Sequence, residues 1–221
     1  MVTFFSNFVV VFISVILCVF REKTIPGYLI PLFSFICILY CLIPSNKLQQ
    51  FRFLQNIKKQ IVLAAGFLTV FPYIGIPYLT HINFIHLIAF IIAAVLAVLF
   101  WLINKKVSMG KTFLILICFY GIVLGQILST NIVYDKSQPE DYTCEIIEIQ
   151  SSPFLFFESG RAINARAMIY SEELKRFSQD GTASVLLSSR QYHTVQAGEQ
   201  AMISVSSGVF GIYYVSSCAF N

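Results

Sequence analysis

The sequence predicts an α-helical, multi-pass membrane protein of about five spans, followed by a small all-β domain. Hydrophobic residues make up 57% of the 221 residues and charged residues only 12%, whereas a soluble domain carries about a quarter charged residues. Up to residue 130 there are nine Lys and Arg and one acidic residue, and beyond it six Lys and Arg and ten acidic residues. The chain therefore joins a basic, apolar part to an acidic part of ordinary polarity.

Five apolar stretches are long enough to cross a bilayer. A spanning helix needs about 20 apolar residues, because the hydrocarbon core is about 30 Å thick and each residue rises about 1.5 Å. The stretches lie near residues 3–20, 24–43, 61–80, 84–104 and 112–129 and define a predicted transmembrane domain over residues 1–130. The first lacks the basic start of a signal peptide and is interpreted as a span. The third contains Pro72, Gly75 and Pro77, so we expect it to kink, break or turn back near its outer end.

Lys and Arg indicate the orientation, because cytoplasmic loops of membrane proteins collect them. They cluster in two of the loops between predicted spans, at Lys47, Arg52, Lys58 and Lys59 and at Lys105, Lys106 and Lys111. With both loops inside, the N-terminus is predicted to be cytoplasmic and the C-terminal domain extracytoplasmic, in a cell inner membrane.

The C-terminal part has the pattern of a β domain. From Tyr142 onward, short runs of β-branched and aromatic residues alternate with turns that contain Ser and Gly. The predicted strands cover residues 144–149, 154–157, 161–170, 183–188, 201–205 and 210–215, with a hairpin turn at 158–160. Five or six strands in about 80 residues suit a small barrel of the OB type. Residues 131–141 are the predicted linker, and residues 142–221 the predicted OB-like domain.

Two residue pairs have expected structural roles. Cys144 and Cys218 lie near the two ends of the β domain, where an oxidising compartment would allow a disulfide; two unpaired cysteines are the alternative. Gly121 and Gly125 form a G-x-x-x-G in the fifth span, which lets another helix approach closely. Another span of the same chain is the expected partner.

The sequence contains none of the common catalytic motifs. G-x-S-x-G, H-E-x-x-H, Walker-loop, C-x-x-C and dinucleotide patterns are missing, and the predicted spans hold no acidic or basic residue of the kind an ion-coupled transporter uses. His81 and His86 are five residues apart and do not share a helical face as a metal pair would, so both are interpreted as interfacial. We therefore expect a non-enzymatic protein without a cofactor, and a membrane enzyme is the least favoured interpretation.

Several stretches carry a family resemblance: the strands at 144–149 and 161–170, the turn and strand at 195–205, and residues 211–215. Together with the helices before them, over about residues 85–221, they resemble the N-terminal region of the ComEC family of DNA-uptake channel proteins. In that family a few spans precede an extracytoplasmic OB-like domain. The chain has neither the family's later channel-forming spans nor its metallo-β-lactamase-like domain. The resemblance thus implies an accessory or truncated head portion that needs other membrane proteins to supply a channel.

The resemblance also implies single-stranded DNA as a partner at the outer face. A DNA groove combines basic residues with aromatic rings on which bases stack, and the candidates are Arg161, Arg166, Lys175, Arg176, Arg190, Tyr170 and Tyr192. Since six bases and ten acids give this part a net charge of −4, binding would require the bases to gather on one face. The alternative is a membrane scaffold whose outer β domain binds another protein through an exposed apolar or strand-edge patch.

Overall fold

The computed structural model describes residues 2–19, 25–44, 46–80, 82–104, 107–151, 157–158, 161–162, 165–187 and 189–220. The chain divides into two compact units. The helical unit comprises Met1–Gly75 and Asn83–Tyr134, and the β unit comprises Ile76–Ile82 and Asp135–Asn221. The β unit is therefore assembled from two separate stretches of sequence.

The helical unit contains seven α-helices among its described residues. They are α1 (Val2–Val19), α2 (Ile25–Tyr28), α3 (Ile30–Leu42), α4 (Arg52–Gln55), α5 (Lys59–Ile74), α6 (Asn83–Ile103) and α7 (Met109–Val133), with a 3₁₀ helix at Lys47–Gln50 before α4. In the described part of the chain, two helical segments are long and apolar enough to cross a membrane, Asn83–Ile103 and Gly110–Val133. The apolar segments Phe4–Val19, Ile30–Leu42 and Lys59–Ile74 are shorter.

Two of the five predicted spans differ from the helices found. The stretch predicted at 24–43 is divided between α2 and α3 at Leu29, because Pro31 lies in the first turn of α3, where its missing N–H costs nothing. The stretch predicted at 61–80 ends early: α5 passes through Pro72 but stops at Ile74. Beyond it, Gly75 and Pro77 do not continue the helix, and the next residues join the β unit instead.

The contact between α7 and α5 depends on two small residues. A Cβ atom at Gly121 would overlap the Phe67 ring, and one at Gly125 would overlap the Val70 side chain and lie 3.1 Å from the Val70 carbonyl oxygen. The two glycines of the predicted G-x-x-x-G thus face another helix of the same chain. Their lack of a side chain lets the two backbones come close together.

Polar groups inside the helical unit bond to one another. Gln126 of α7 donates from Nε2 to the Pro31 carbonyl of α3 at 2.8 Å and also bonds the buried Ser34 hydroxyl. At the other end of α3, the Lys59 ammonium donates to the Cys41 and Ile43 carbonyls at 3.0 and 2.7 Å. These carbonyls end a helix and have no partner within it, so a cation there stabilises α3.

The β unit contains seven strands among its described residues: β1 (Glu140–Ser151), β2 (Phe157–Glu158), β3 (Arg161–Ala162), β4 (Ala165–Tyr170), β5 (Thr182–Leu187), β6 (Gln200–Ser206) and β7 (Tyr214–Phe220). A 3₁₀ helix, Glu172–Arg176, precedes β5, and α8 (Ser189–Thr194) follows it. Five strands form an antiparallel half-barrel in the order β5-β4-β1-β6-β7, and β2 pairs with β3. The first half of the long β1 pairs with β6 and its second half with β4.

The last strand starts later than predicted. The sequence predicted a strand at 210–215, but β7 begins at Tyr214. Gly208 and Gly211 adopt φ angles of 65° and 69°, a left-handed conformation that breaks an extended strand and forms a turn. Part of the predicted strand at 154–157 and of the hairpin turn at 158–160 lies outside the described residues.

Ile76–Ile82 is the unexpected part of the β unit. The Leu79 N–H donates to the Tyr213 carbonyl at 2.9 Å, and the Val215 N–H donates to the Pro77 carbonyl at 3.0 Å. The Leu79 side chain is 4% exposed and belongs to the core of the half-barrel. The loop predicted as the outer end of a span is thus an added edge segment of the sheet.

The predicted linker at 131–141 is ordered structure. Helix α7 continues to Val133 and β1 begins at Glu140. Between them the buried Asp135 carboxylate accepts hydrogen bonds from the Ser137 N–H at 2.8 Å and from the Tyr214 hydroxyl at 3.0 Å. The boundary between the two units therefore falls directly after Tyr134.

Gly125→Ala should destabilise the helical unit, because the new methyl group would overlap Val70. We expect a loss of about 1–3 kcal/mol from overpacking, measured by unfolding of the full chain in detergent. Gly110→Ala is the matched control, since a Cβ there meets no atom within 4 Å. Equal stability of the two variants would contradict close packing of α7 on α5.

Leu79→Ala should destabilise the β unit although residue 79 lies far from the strands in the sequence. Truncating a buried leucine costs about 2–5 kcal/mol, and hydrogen exchange of the β6 and β7 amides in the full chain would measure the loss. Leu186→Ala is the control, because Leu186 is 38% exposed on β5. Unchanged exchange in Leu79→Ala would show that the loop is not part of the sheet.

Candidate functional site

The outer face of β4 carries two of the predicted DNA contacts. Ala165, Ala167 and Ile169 point into the core, so the alternating residues Arg166 and Tyr170 lie on the other face. That face is also acidic. On the neighbouring β1, Glu145 lies opposite Tyr170 and Glu148 lies opposite Met168.

A carboxylate already holds two of the predicted contacts. The Tyr170 hydroxyl donates to Glu172 at 2.6 Å, and the Lys175 ammonium forms an ion pair with Glu172 at 2.8 Å. These hydrogen bonds, the one from Lys175 first, lower the pKa of the Glu172 carboxyl. Since Glu172 stays ionised, it competes with a phosphate for the same donors.

The other predicted DNA contacts are not shown to lie beside Arg166 and Tyr170. Arg176 is exposed and lies near Tyr142, whose hydroxyl donates to Glu140. Tyr192 lies on α8 with its ring 5.4 Å from that of His193. The backbones of Arg161 and Arg190 lie in β3 and α8, and their side chains are outside the described part of the structure.

The charge of the β unit opposes binding to phosphate. It contains six basic and ten acidic residues, which give −4. Affinity for nucleic acid comes mainly from basic side chains that neutralise phosphates and release counterions. At Lys175, a phosphate would first have to displace the Glu172 carboxylate from its ion pair.

Cys144 and Cys218 are free thiols in the structure. Cys144 of β1 lies opposite Ala201, and Cys218 of β7 lies opposite Ile203, so that β6 separates them. Two strand spacings amount to about 9 Å, beyond the roughly 4.4–6.8 Å between the Cα atoms of a disulfide. Burial raises the pKa of both thiols to about 11. The arrangement matches the alternative of two unpaired cysteines, which act here as small hydrophobic residues.

His86 of α6 has a partner in the helical unit. Its Nδ1 lies 2.6 Å from the Tyr120 hydroxyl of α7, so it joins two helices. His81 lies outside the described residues. Within the described ranges, no group of three or more His, Cys, Asp or Glu residues could hold a metal ion.

The two edge strands of the sheet, β5 and β7, differ in their backbone pairing. The start of β7 pairs with Pro77 and Leu79. The same segment reaches the turn before β5, where Tyr78, Leu79, Asp180 and Thr182 line part of a polar pocket of about 330 Å³. From residue 183 on, the second edge of β5 makes no backbone hydrogen bond with the part of the chain that the structure describes.

The β5 edge that is unpaired among the described residues lacks the usual protection of an edge strand. Thr182–Leu187 carries no charge and no proline, the features with which proteins usually protect an edge. Ala183, Val185 and Leu187 are buried in the core, while Leu186 is exposed on the outer face. Sequence reasoning missed this site, because strand order depends on contacts between distant residues.

Comparison with protein-family models, curated proteins and solved structures finds no match to this chain.

The buried pair of Tyr214 and Asp135 predicts a pH dependence of stability. Burial, and then the hydrogen bond to Asp135, raise the pKa of Tyr214 to about 12, against about 10 in an unfolded chain. The contribution of the neutral phenol is therefore complete below about pH 10 and is lost as pH rises from about 10 to 12.

Tyr214→Phe should cost about 1–3 kcal/mol at pH 7, because Asp135 loses a donor in a buried site. The difference from wild type should narrow between pH 10 and 12, as denaturant unfolding of the full chain would show. Tyr213→Phe keeps the packing of ring 213 on Phe177 and is the control. A difference for Tyr214→Phe that does not change with pH would contradict the assignment.

Proposed function

We propose that the protein is a non-enzymatic, multi-pass inner-membrane protein whose β unit lies outside the cytoplasm and binds an extended segment of another protein along β5. The observation that carries the proposal is the uncharged open edge of β5, in a unit tied to strongly apolar helices. The cytoplasmic N-terminus and the five spans of the sequence prediction are part of the proposal.

The surface of the helical unit supports a membrane location. Large apolar side chains are exposed along whole helices, for example Phe4, Phe8 and Phe12 on α1 and Ile91, Val95 and Val98 on α6. Exposed apolar surface of this extent is typical of contact with lipid or a partner. With 21 residues, α6 is about 31 Å long and matches a hydrocarbon core of about 30 Å.

The chain connections support a location of the whole β unit on one side of the membrane. The chain leaves this unit at Ile82 and returns at Asp135. Between them lie α6 and α7, and two crossings bring the chain back to the side where it started. The basic residues Lys105, Lys106 and Lys111 lie between these helices or at the start of α7. The positive-inside rule assigns that end to the cytoplasm and the β unit to the outside.

The β5 edge supports recognition of an extended peptide. Addition of a strand to a sheet edge gives affinity through main-chain hydrogen bonds and specificity through alternate side chains. On β5 the outward side chains next to such a peptide are Ser184 and the exposed Leu186. The partner segment is therefore expected to be extended and to place an apolar residue beside Leu186.

A ComEC-type accessory in DNA uptake is the second candidate. A long β1 shared between β4 and β6, with β5 and β7 at the ends, is compatible with a partly open, five-stranded OB-like barrel. In this case single-stranded DNA would meet Arg166 and Tyr170, and other membrane proteins would supply the channel. The carboxylates of Glu145 and Glu172 beside Tyr170, and the net charge of −4 of the β unit, make it the weaker candidate.

A photo-cross-linking amino acid at position 186 should yield a discrete adduct with another protein in membranes of the native host. The same probe at Met202, which is exposed on the interior strand β6, should yield none and is the matched control. Mass spectrometry would identify the adduct. Adducts from both positions, or from neither, would contradict binding at the β5 edge.

Titration of the full chain in lipid nanodiscs with labelled single-stranded DNA separates the two candidates. The scaffold proposal predicts no binding at low or moderate salt. Salt-sensitive binding that Arg166→Glu weakens would instead support the DNA-uptake candidate.

A further inference from the structure

The turn between β6 and β7 exposes two apolar side chains. Gly208 and Gly211 adopt positive φ angles on either side of Val209 and Phe210, whose side chains are 49% and 55% exposed. The sequence from Ser206 to Tyr214 contains no charged residue. A turn that ordinarily carries polar residues thus presents an apolar tip, which we call the Val209–Phe210 turn.

The Val209–Phe210 turn lies at the end of the β unit to which α5, α6 and α7 connect. The Ser207 N–H bonds the Ser137 hydroxyl at 3.3 Å, and Ser137 follows α7, which ends at Val133. On the other side of the turn, Tyr213 and Val215 bond Leu79 and Pro77.

Short tethers lead from this end of the β unit to apolar helices. The segment Ile76–Ile82 comes directly after α5, which ends at Ile74, and directly before α6, which begins at Asn83. A chain covers at most about 3.6 Å per residue, so the stretches of chain that join this end of the sheet to the helix ends are short.

We propose that the Val209–Phe210 turn inserts into the outer leaflet of the lipid bilayer and anchors the β unit to the membrane surface. The inference rests on the proposed membrane location. Apolar and aromatic side chains without nearby charge bind the boundary between head groups and acyl chains. The position of the turn beside three membrane tethers favours lipid over a protein partner, since any protein bound there would compete with the bilayer surface.

The opposite end of the β unit provides a matched control. There β5 leads into α8, where Tyr192 is 38% exposed among the polar residues Gln191, His193 and Thr194. This tyrosine is an exposed aromatic residue, as Phe210 is, but it lies far from the tethers along the strands. A probe at position 192 should therefore stay in water.

Tryptophan quenching tests the inference, because Trp101 is the only tryptophan of the chain. The full chain is reconstituted in phosphatidylcholine vesicles containing lipids with a nitroxide near the head group or deep in the acyl chain. Three proteins are compared: wild type, Trp101→Phe with Phe210→Trp, and Trp101→Phe with Tyr192→Trp.

The expected result is quenching at position 210 that is several-fold stronger than at position 192, and stronger with the shallow label than with the deep one. Quenching of Trp101 without excess quenching at position 210 would overturn the inference and leave the membrane location intact. Absence of quenching at both Trp101 and position 210 would instead sink the membrane location itself. Val209→Trp in the Trp101→Phe background gives a second reporter if the Phe210→Trp variant does not fold.

Discussion

The backbone pairing of Pro77 and Leu79 with Tyr213 and Val215 is the contact on which the β unit depends. It places a loop between two apolar helices inside the sheet and buries Leu79 in the core. A fragment that starts at residue 135 would lack this segment and expose the core that Leu79 covers. The β unit is thus not one continuous stretch appended to the helices, because α6 and α7 separate the segment Ile76–Ile82 from the rest of the sheet in the sequence.

The helical unit depends on hydrogen bonds between polar side chains and on close packing of two helices. Gln126 and Ser34 are polar residues in helices with apolar surroundings, and each satisfies its hydrogen bonds on the other or on Pro31. In a membrane such bonds hold helices together, because hydrocarbon offers no competing partner. The close approach of α7 to α5 at Gly125 adds packing contact along the same helix. Helix α7 therefore binds α3 through hydrogen bonds and packs closely against α5 at its glycines.

Local sequence patterns predicted the helices and strands better than they predicted which of these elements pair with one another. The predicted spans at 84–104 and 112–129 correspond to α6 and α7, because an uninterrupted apolar run of this length forms a helix. The predicted span at 61–80 includes residues 76–80 of this segment, since an apolar stretch with Gly and Pro can lie in a bilayer or at the edge of a sheet. For the candidate site, alternation alone puts Arg166 and Tyr170 on one face. The opposing Glu145 and Glu148 depend on the register of β1, which no local pattern determines.

Among the described residues, the unpaired edge of β5 is explained by the pairing at the other edge of the sheet. A half-barrel in the order β5-β4-β1-β6-β7 closes only if β5 pairs with β7. The segment Ile76–Ile82 occupies the outer edge at the start of β7, so that part of β7 cannot also accept β5. A protein that closed its barrel would have no edge to offer. The loop that joins the sheet to the apolar helices therefore also keeps the start of β7 from pairing with β5.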